Sequence, residues 1–238
     1  MVTMHGKKYV AAAKLLEPEK AYSPQEAVAL VKKVSYVKFD ETVELHLRMD
    51  LDPRNATQQV RGTALLPNGL GKTVRVLVFA QGEGERIAKE AGADVTGGDE
   101  LIKKVEDGFL DFDVAIATQD MMSKVSRLGK ILGRKGLMPN PKSGTVVAPE
   151  GLARSIKEAR QGKVEYKLDK TAIIHLPVGK VSFSEDKILG NLSSVIEAVM
   201  KARPSGAKGV YVKSAYITTT MGPSIKLDLK TSLSLTAS

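Results

Sequence analysis

The sequence predicts a two-domain α/β chain in which one domain interrupts the other, and two observations carry that expectation. Strand-like segments toward both ends alternate apolar and polar residues, the pattern of a sheet with one face open to water. The middle third instead carries continuous apolar runs separated by helical periodicity, the pattern of parallel strands covered on both faces. The length of 238 residues admits one large domain or two modest ones.

The first element is a helix. Ser23-Pro24-Gln25-Glu26 forms a capping box with proline at the first helical position, and Ala27, Leu30, Val31 and Val34 follow at helical spacing. After Lys38-Phe39-Asp40-Glu41 the chain alternates strictly. Val43, Leu45, Leu47, Met49 and Leu51 face one way, and Thr42, Glu44, His46, Arg48 and Asp50 the other. A half-buried strand with a polar face available to a partner is expected there.

Residues 66–72 form a turn-rich junction, beyond which the pattern changes. A buried strand is expected over 74–80, a helix over 85–91, a short strand over 93–95, a helix over 99–106 and a buried strand over 114–117. A strand at 145–148 and a helix over 149–160 complete the series. Half-open patterning then returns, with Val164, Tyr166 and Leu168 alternating and a strand over 172–176. A long amphipathic helix over 184–201 turns Ile188, Leu192, Val195, Ile196 and Val199 inward. Val210 and Val212 lead a strand into 214–220, residues 224–229 alternate again, and the tail 231–238 has little to pack and is expected to fray. The predicted architecture is a discontinuous α+β domain, a split β-α-β sheet with helices, made from 1–69 and 162–238. A three-layer α/β/α, Rossmann-like domain over 70–161 is inserted into it.

Composition narrows the function. With 42% hydrophobic residues the chain can build a core. Its lack of cysteine excludes disulfide scaffolds, thiolate metal sites and cysteine nucleophiles. The apolar stretches are too short to span a bilayer, and residues 1–20 hold no signal-peptide apolar region, so a cytoplasmic protein is expected. The net charge of +9 points to a polyanionic partner. Residues 1–69 hold 10 basic and 8 acidic side chains, 70–161 hold 15 and 13, and 162–238 hold 11 and 6, which puts +7 of the charge on the two-ended domain.

Enzyme signatures are weak. The histidines His5, His46 and His175 lack metal-ligand spacing. Gly82-Glu83-Gly84-Glu85-Arg86-Ile87 is a truncated dinucleotide fingerprint, with Ile87 in place of its third glycine and two glutamates where a pyrophosphate must sit. Neither a phosphate-binding P-loop nor a nucleophile elbow occurs. The run 121–144 carries Lys124, Arg127, Lys130, Arg134, Lys135 and Lys142 without one acid, interleaved with glycines and Pro139-Asn140-Pro141. It reads either as a loop following a phosphate backbone or as a solvated basic face beside a proline-fixed turn. Thr218-Thr219-Thr220-Met221-Gly222-Pro223-Ser224 reads either as hydroxyls presented to RNA or as an ordinary hairpin connection. Paired with Lys38, Phe39, Thr42, Glu44 and His46, the first reading gains ground. Aromatics at 5% and no tryptophan argue for a shaped RNA rather than splayed single strands.

Three segments carry a resemblance: Lys38-Phe39-Asp40-Glu41-Thr42-Val43-Glu44, the run Gly136-Leu137-Met138-Pro139-Asn140-Pro141-Lys142-Ser143-Gly144-Thr145-Val146, and Thr218 through Ser224. Together they resemble the bacterial form of the large-subunit ribosomal protein one family, the proteins of the mobile stalk beside the tRNA exit site. The resemblance runs from about Lys7 to Leu229. It implies a non-catalytic, ribosome-associated protein, monomeric within the ribosome, with no cofactor or small-molecule substrate. It implies binding to a stalk helix of large-subunit rRNA, mainly through the discontinuous domain. The matching RNA-contacting positions are Lys38, Phe39, Thr42, Glu44, Lys170, Ser214, Thr218, Thr220, Met221, Gly222 and Ser224. It further implies help in releasing deacylated tRNA from the exit site and repression of the protein's own operon mRNA. Within that frame Lys38 pairs with phosphate, Phe39 and Met221 offer apolar faces to sugar or base, Gly222 admits the RNA backbone, and Glu44 accepts from a 2′-hydroxyl or base amine. Lys130, Arg134, Lys135 and Lys142 are candidates for a second RNA contact. An enzyme with a nucleotide domain and a free-standing translational repressor are the competing readings.

Overall fold

The computed structural model describes residues 6–17, 20–207 and 209–235, and among these residues it holds nineteen α-helices and strands. The N-terminal part carries α1 (Lys7–Ala13), α2 (Pro24–Val34), β1 (Thr42–Met49) and β2 (Arg61–Leu65). The middle carries β3 (Val76–Phe79), α3 (Glu83–Glu90), β4 (Val95–Gly97), α4 (Asp99–Glu106), β5 (Val114–Thr118), α5 (Met122–Val125), α6 (Gly129–Lys135), β6 (Val146–Val147) and α7 (Leu152–Gln161). The last part carries β7 (Lys163–Lys167), β8 (Ile173–Lys180), α8 (Glu185–Lys201), β9 (Val212–Thr219), β10 (Ile225–Leu227) and α9 (Leu229–Leu233). Two compact units result, one from Met1–Gly71 with Val164–Ser238 and the other from Lys72–Lys163.

The discontinuous unit is built on a four-stranded antiparallel sheet of order β10-β9-β1-β8. Strands β8 and β9 both run antiparallel to β1 and are joined through α8, so β1 lies between them: a split β-α-β. The alternation in β1 buries Val43, Leu45, Leu47 and Met49 and leaves Thr42, Glu44, His46 and Arg48 on the open face. The buried face packs against α2 and α8. Helix α2 starts at the expected capping box, the Ser23 hydroxyl accepting from the Glu26 amide and the Glu26 carboxylate accepting from the Ser23 amide. Its buried stripe is Ala27, Val28, Val31 and Val34, with Leu30 only partly covered. Edge position explains why β8 tolerates Pro177, which cannot donate to a ladder. A second, two-stranded sheet pairs β2 with β7.

The inserted unit is a parallel sheet of order β4-β3-β5-β6 with a core on each face. Val76, Val78, Ala80 and Ile116 pack with α3 and α7 residues on one side. Leu77, Phe79, Ala115 and Ala117 pack with α4, α5 and α6 residues on the other. The chain is thus α/β in class, with three layers in the insert.

Four expectations need correction. Of the two readings of the basic run 121–144, the loop is corrected over its first part: residues 121–135 form a succession of helical turns, because Met121, Val125, Leu128 and Leu132 recur at helical spacing and are buried, and the proline-bearing turn follows them. Val210 is 64% exposed and β9 begins at Val212, Tyr211 being the buried residue there. The alternation read over 224–229 is strand only at Ile225–Leu227. The tail does not fray directly: Asp228 accepts from the Lys230 and Thr231 amides and caps α9, whose Ser232 is buried. The remainder of that tail, 236–238, lies outside the described residues.

One buried polar side chain ties the segment after β2 to the helix layer of the discontinuous unit. Asn191 of α8 is fully buried; its amide nitrogen donates to the Gly69 and Val178 carbonyls at 2.9 and 2.7 Å, and its oxygen accepts from the Asn68 amide at 3.0 Å. Asn191→Ala leaves three backbone groups without partners and is expected to lower the unfolding free energy by roughly 3 kcal/mol in urea titrations. A loss below about 1 kcal/mol would show that water satisfies the site instead.

Candidate nucleic-acid interface

The residues singled out near Lys38 and near Thr218 come together although nearly 180 positions separate them. In the β1–β9 register Glu44 lies opposite Thr218, His46 opposite Tyr216 and Arg48 opposite Ser214. The turn after β9 closes over the start of β1: the Thr42 amide donates to Thr220 Oγ1 at 3.2 Å, and the Tyr36 hydroxyl donates to the Met221 carbonyl at 2.8 Å. Phe39 and Met221, 55% and 50% exposed, are both presented to solvent, as are Lys38, Thr220 and Ser224.

A carboxylate that sequence reasoning passed over anchors this turn. Glu41 is almost fully buried, accepts from the Met221 amide at 2.8 Å and from the Ser35 hydroxyl, and so fixes the Met221 backbone against the entry to β1. Asp40 accepts from the amide and hydroxyl of Ser182 at 3.0 and 2.8 Å, which pins the other side of the same segment. The adjacency of Asp40 and Glu41 to the exposed Lys38-Phe39 was the available signal, but charged residues in a loop ordinarily face water.

Two proposed roles change on inspection of contacts. Gly222 is required by its own turn, because an added Cβ would overlap Thr219 Oγ1, the atom that accepts from the Gly222 amide. The Thr218 hydroxyl donates within the turn, to the Thr219 and Gly222 carbonyls, and only its lone pairs remain to offer a partner.

Ser214 sits at the other end of the open face, opposite Arg48, and Lys170 is exposed in the loop that enters β8. The six-residue step from Thr42 to Arg48 spans about 20 Å along the sheet. Between the two ends lies a row that reads Lys226, Tyr216, His46, His175 across the four strands. His46 and His175 touch, Nδ1 to Nδ1, at 2.8 Å. Burial and the neighbouring His175 push His46 below its ordinary pKa, and Glu44 pulls it partly back. Burial opposes ionisation of Asp169, but hydrogen bonds from the Thr171 hydroxyl, the Ile173 and Thr171 amides and His175 bring it down to about 2. His5 lies outside the described residues, and among the described residues no group of three or more metal-ligating side chains occurs.

In the inserted unit Lys130, Arg134, Lys135 and Lys142 are exposed and make no ion pair among the described residues, whereas Lys124 is held by Asp99 at 2.7 Å. Lys130 and Arg134 are four apart on α6 and share a face. Pro139-Asn140-Pro141 forms a tight turn in which Asn140 accepts from the Lys142 amide and its own amide donates to Thr145 Oγ1. The crevice at the carboxyl ends of β3 and β5, where strand order reverses, is the usual ligand position of such a sheet. Here it carries Glu83 and Glu85 in the first turn of α3 and exposed Asp120 after β5. Gly84 packs against Ala80, Thr118 and Leu152, so that glycine serves helix–strand contact. Nothing in that crevice favours a phosphate.

The chain is 65% identical over 230 residues to the large ribosomal subunit protein uL1 of Dehalococcoides mccartyi, covering 97% of both chains. It is 57% identical over 226 residues to the protein of that name from Chloroflexus aggregans, covering 94% of this chain and 95% of the relative, and 55% identical to that of Chloroflexus aurantiacus. Residues 31–223 match the profile of the Ribosomal protein L1p/L10e family. With a polar sheet face where a partner can lie and an acidic crevice where a nucleotide would have to, the chain belongs to the ribosomal protein L1p/L10e family, a family of structural ribosomal proteins and not of enzymes.

Proposed function

We propose that this large-subunit ribosomal protein binds a folded stalk helix of rRNA directly, through the open sheet face and the Thr219–Pro223 turn of the discontinuous unit. The observation that carries the reading is the convergence of Phe39, Thr42, Glu44, Thr218, Thr220 and Met221 on one solvent-facing patch, on the unit with the larger share of the positive charge. Lys38 and Lys170 pair with phosphates at opposite ends of the face, hydroxyls and the Glu44 carboxylate meet 2′-hydroxyls in a shallow groove, and Phe39 and Met221 lie on sugar or base. Ser214 and Ser224 add hydroxyls at its margins, and Gly222 shapes the turn. The exposed cations Lys130, Arg134, Lys135 and Lys142 supply a second, electrostatic contact, to exit-site tRNA or to a second stretch of rRNA. From the mobile stalk the protein assists release of deacylated tRNA, and the same face represses translation by binding an operon mRNA that mimics the rRNA site. This reading places the protein on the ribosome, in the cytoplasm. No helix among the described residues is long and apolar enough to cross a membrane.

The deciding experiment compares affinity for the stalk rRNA fragment with that for an unrelated duplex across a salt series. Selective binding that persists at physiological salt is expected; equal, steeply salt-dependent binding to both would reduce the face to a basic surface. Met221→Asp is expected to weaken fragment binding roughly tenfold or more without lowering the melting temperature. An unchanged dissociation constant at fixed salt removes Met221 from the interface. Glu41→Ala leaves the part-buried Met221 amide and Ser35 hydroxyl unpaired, and is expected to cost about 1–3 kcal/mol of stability and also to weaken the fragment complex. Full affinity in a folded Glu41→Ala protein would show that the turn needs no anchor.

A further inference from the structure

We propose that the paired imidazoles of His46 and His175 form a phosphate contact at the centre of the open face, and that RNA binding there takes up a proton. The inference rests on the RNA-binding reading above and extends it to residues that reading leaves unused. Position is the first argument. The histidine row lies between the Glu44–Thr218 row and the Arg48–Ser214 row, so an RNA that reaches both ends of the face crosses it. The side chains are accessible, at 25% for His46 and 50% for His175.

Proton counting is the second argument. The 2.8 Å contact between the two Nδ1 atoms needs one hydrogen and one lone pair. His46 Nε2 lies 3.8 Å from Glu44 Oε2 and His175 Nε2 3.4 Å from Asp169 Oδ2, and each carboxylate only accepts. Two protons on four ring nitrogens satisfy the Nδ1 contact and the contact to Asp169, the 3.8 Å separation from Glu44 being too long for a hydrogen bond. One further proton on the pair breaks the Nδ1 contact and creates two adjacent N–H donors while His175 Nε2 keeps Asp169. A phosphate oxygen is the partner such a fork fits. The surrounding charges are Glu44 and Arg48 on β1, Asp169 and Lys170 before β8, the Tyr216 phenol on β9 and Lys226 on β10.

In the free protein burial and His175 oppose a positive charge on His46. An arriving phosphate favours it, which raises the imidazole pKa in the complex above its free value. Affinity therefore rises as pH falls between the two, by at most about tenfold per pH unit for one proton. Titration calorimetry of the full chain with the stalk rRNA fragment, near pH 6.5 in two buffers of different ionisation heat, counts protons directly. Uptake approaching one proton is expected, together with tighter binding between about pH 7.5 and 5.5. His175→Gln, at an exposed position, and His46→Gln are each expected to lose both the uptake and the pH dependence. Tight binding by the natural protein without proton uptake, or equal uptake by both variants, overturns this proposal alone. Failure of the natural protein to bind the fragment selectively overturns the RNA reading and this one with it.

Discussion

Strand β1 is hydrogen-bonded along both edges by strands that arrive only in the last third of the chain. His46 and its cross-strand neighbour His175 are 129 residues apart. Helix α2 covers the apolar stripe of Val43, Leu45, Leu47 and Met49 only in part and α8 completes the cover, so the first third cannot bury that stripe by itself. That constraint governs the architecture. Closing a long loop costs only about 0.6 kcal/mol more for each doubling of its length, so a complete α/β unit can occupy the gap without a prohibitive penalty. The insert needs its own core in return, and it has one on each face of its sheet.

The same strand sets the interface. Because side chains alternate along β1, burying Val43 and Leu45 obliges Thr42, Glu44, His46 and Arg48 to face solvent, and antiparallel pairing adds the outward residues of β8 and β9 to them. A one-residue slip would exchange the two sets, so the register that stabilises the core also assembles the polar face. The turn after β9 is held in step with this register by Glu41, immediately before β1. A carboxylate that gives up water for the Met221 amide and the Ser35 hydroxyl ties the turn to the sheet at a fixed place.

What could be read from the sequence was whatever one segment settles for itself. The alternation of β1, the capping box of α2, the acid-rich start of α4 at Asp99 and the four-residue buried run of β3 are local patterns with local causes. The clustering of Thr42 and Glu44 with Thr218 was legible only as a hypothesis, since pairing across 174 residues leaves no trace in spacing. Helix α1 escaped notice because it spans seven residues, begins without a side-chain cap and buries only Ala12. Strand β2, with a single fully buried residue, lacks the alternation that identified β1. The basic run 121–144 misled because its cations and glycines drew attention from the buried residues Met121, Val125, Leu128 and Leu132 that hold its helices down. Glu41, Asn191 and the histidine pair share one difficulty: each takes its role from partners supplied by another part of the chain.

The face assembled in this way is not strongly basic. Lys38, Arg48, Lys170 and Lys226 lie on or around it, but Glu44 and Asp169 lie there as well, and its centre is made of hydroxyls, imidazoles and a phenol. Most of the positive charge on the unit sits away from this row, where it attracts any polyanion at long range and does so less as salt rises. If this face binds RNA as proposed, contacts that distinguish one folded RNA from another must come from groups whose positions are fixed, since hydroxyl and carboxylate hydrogen bonds reward geometry rather than charge. That requirement explains why so many hydrogen bonds within the protein hold a few exposed atoms in place. Asp40 is bound to Ser182, Glu41 to Met221, Thr218 within its own turn and Asp169 within the loop before β8. A site that relied on charge alone would have no use for such ties.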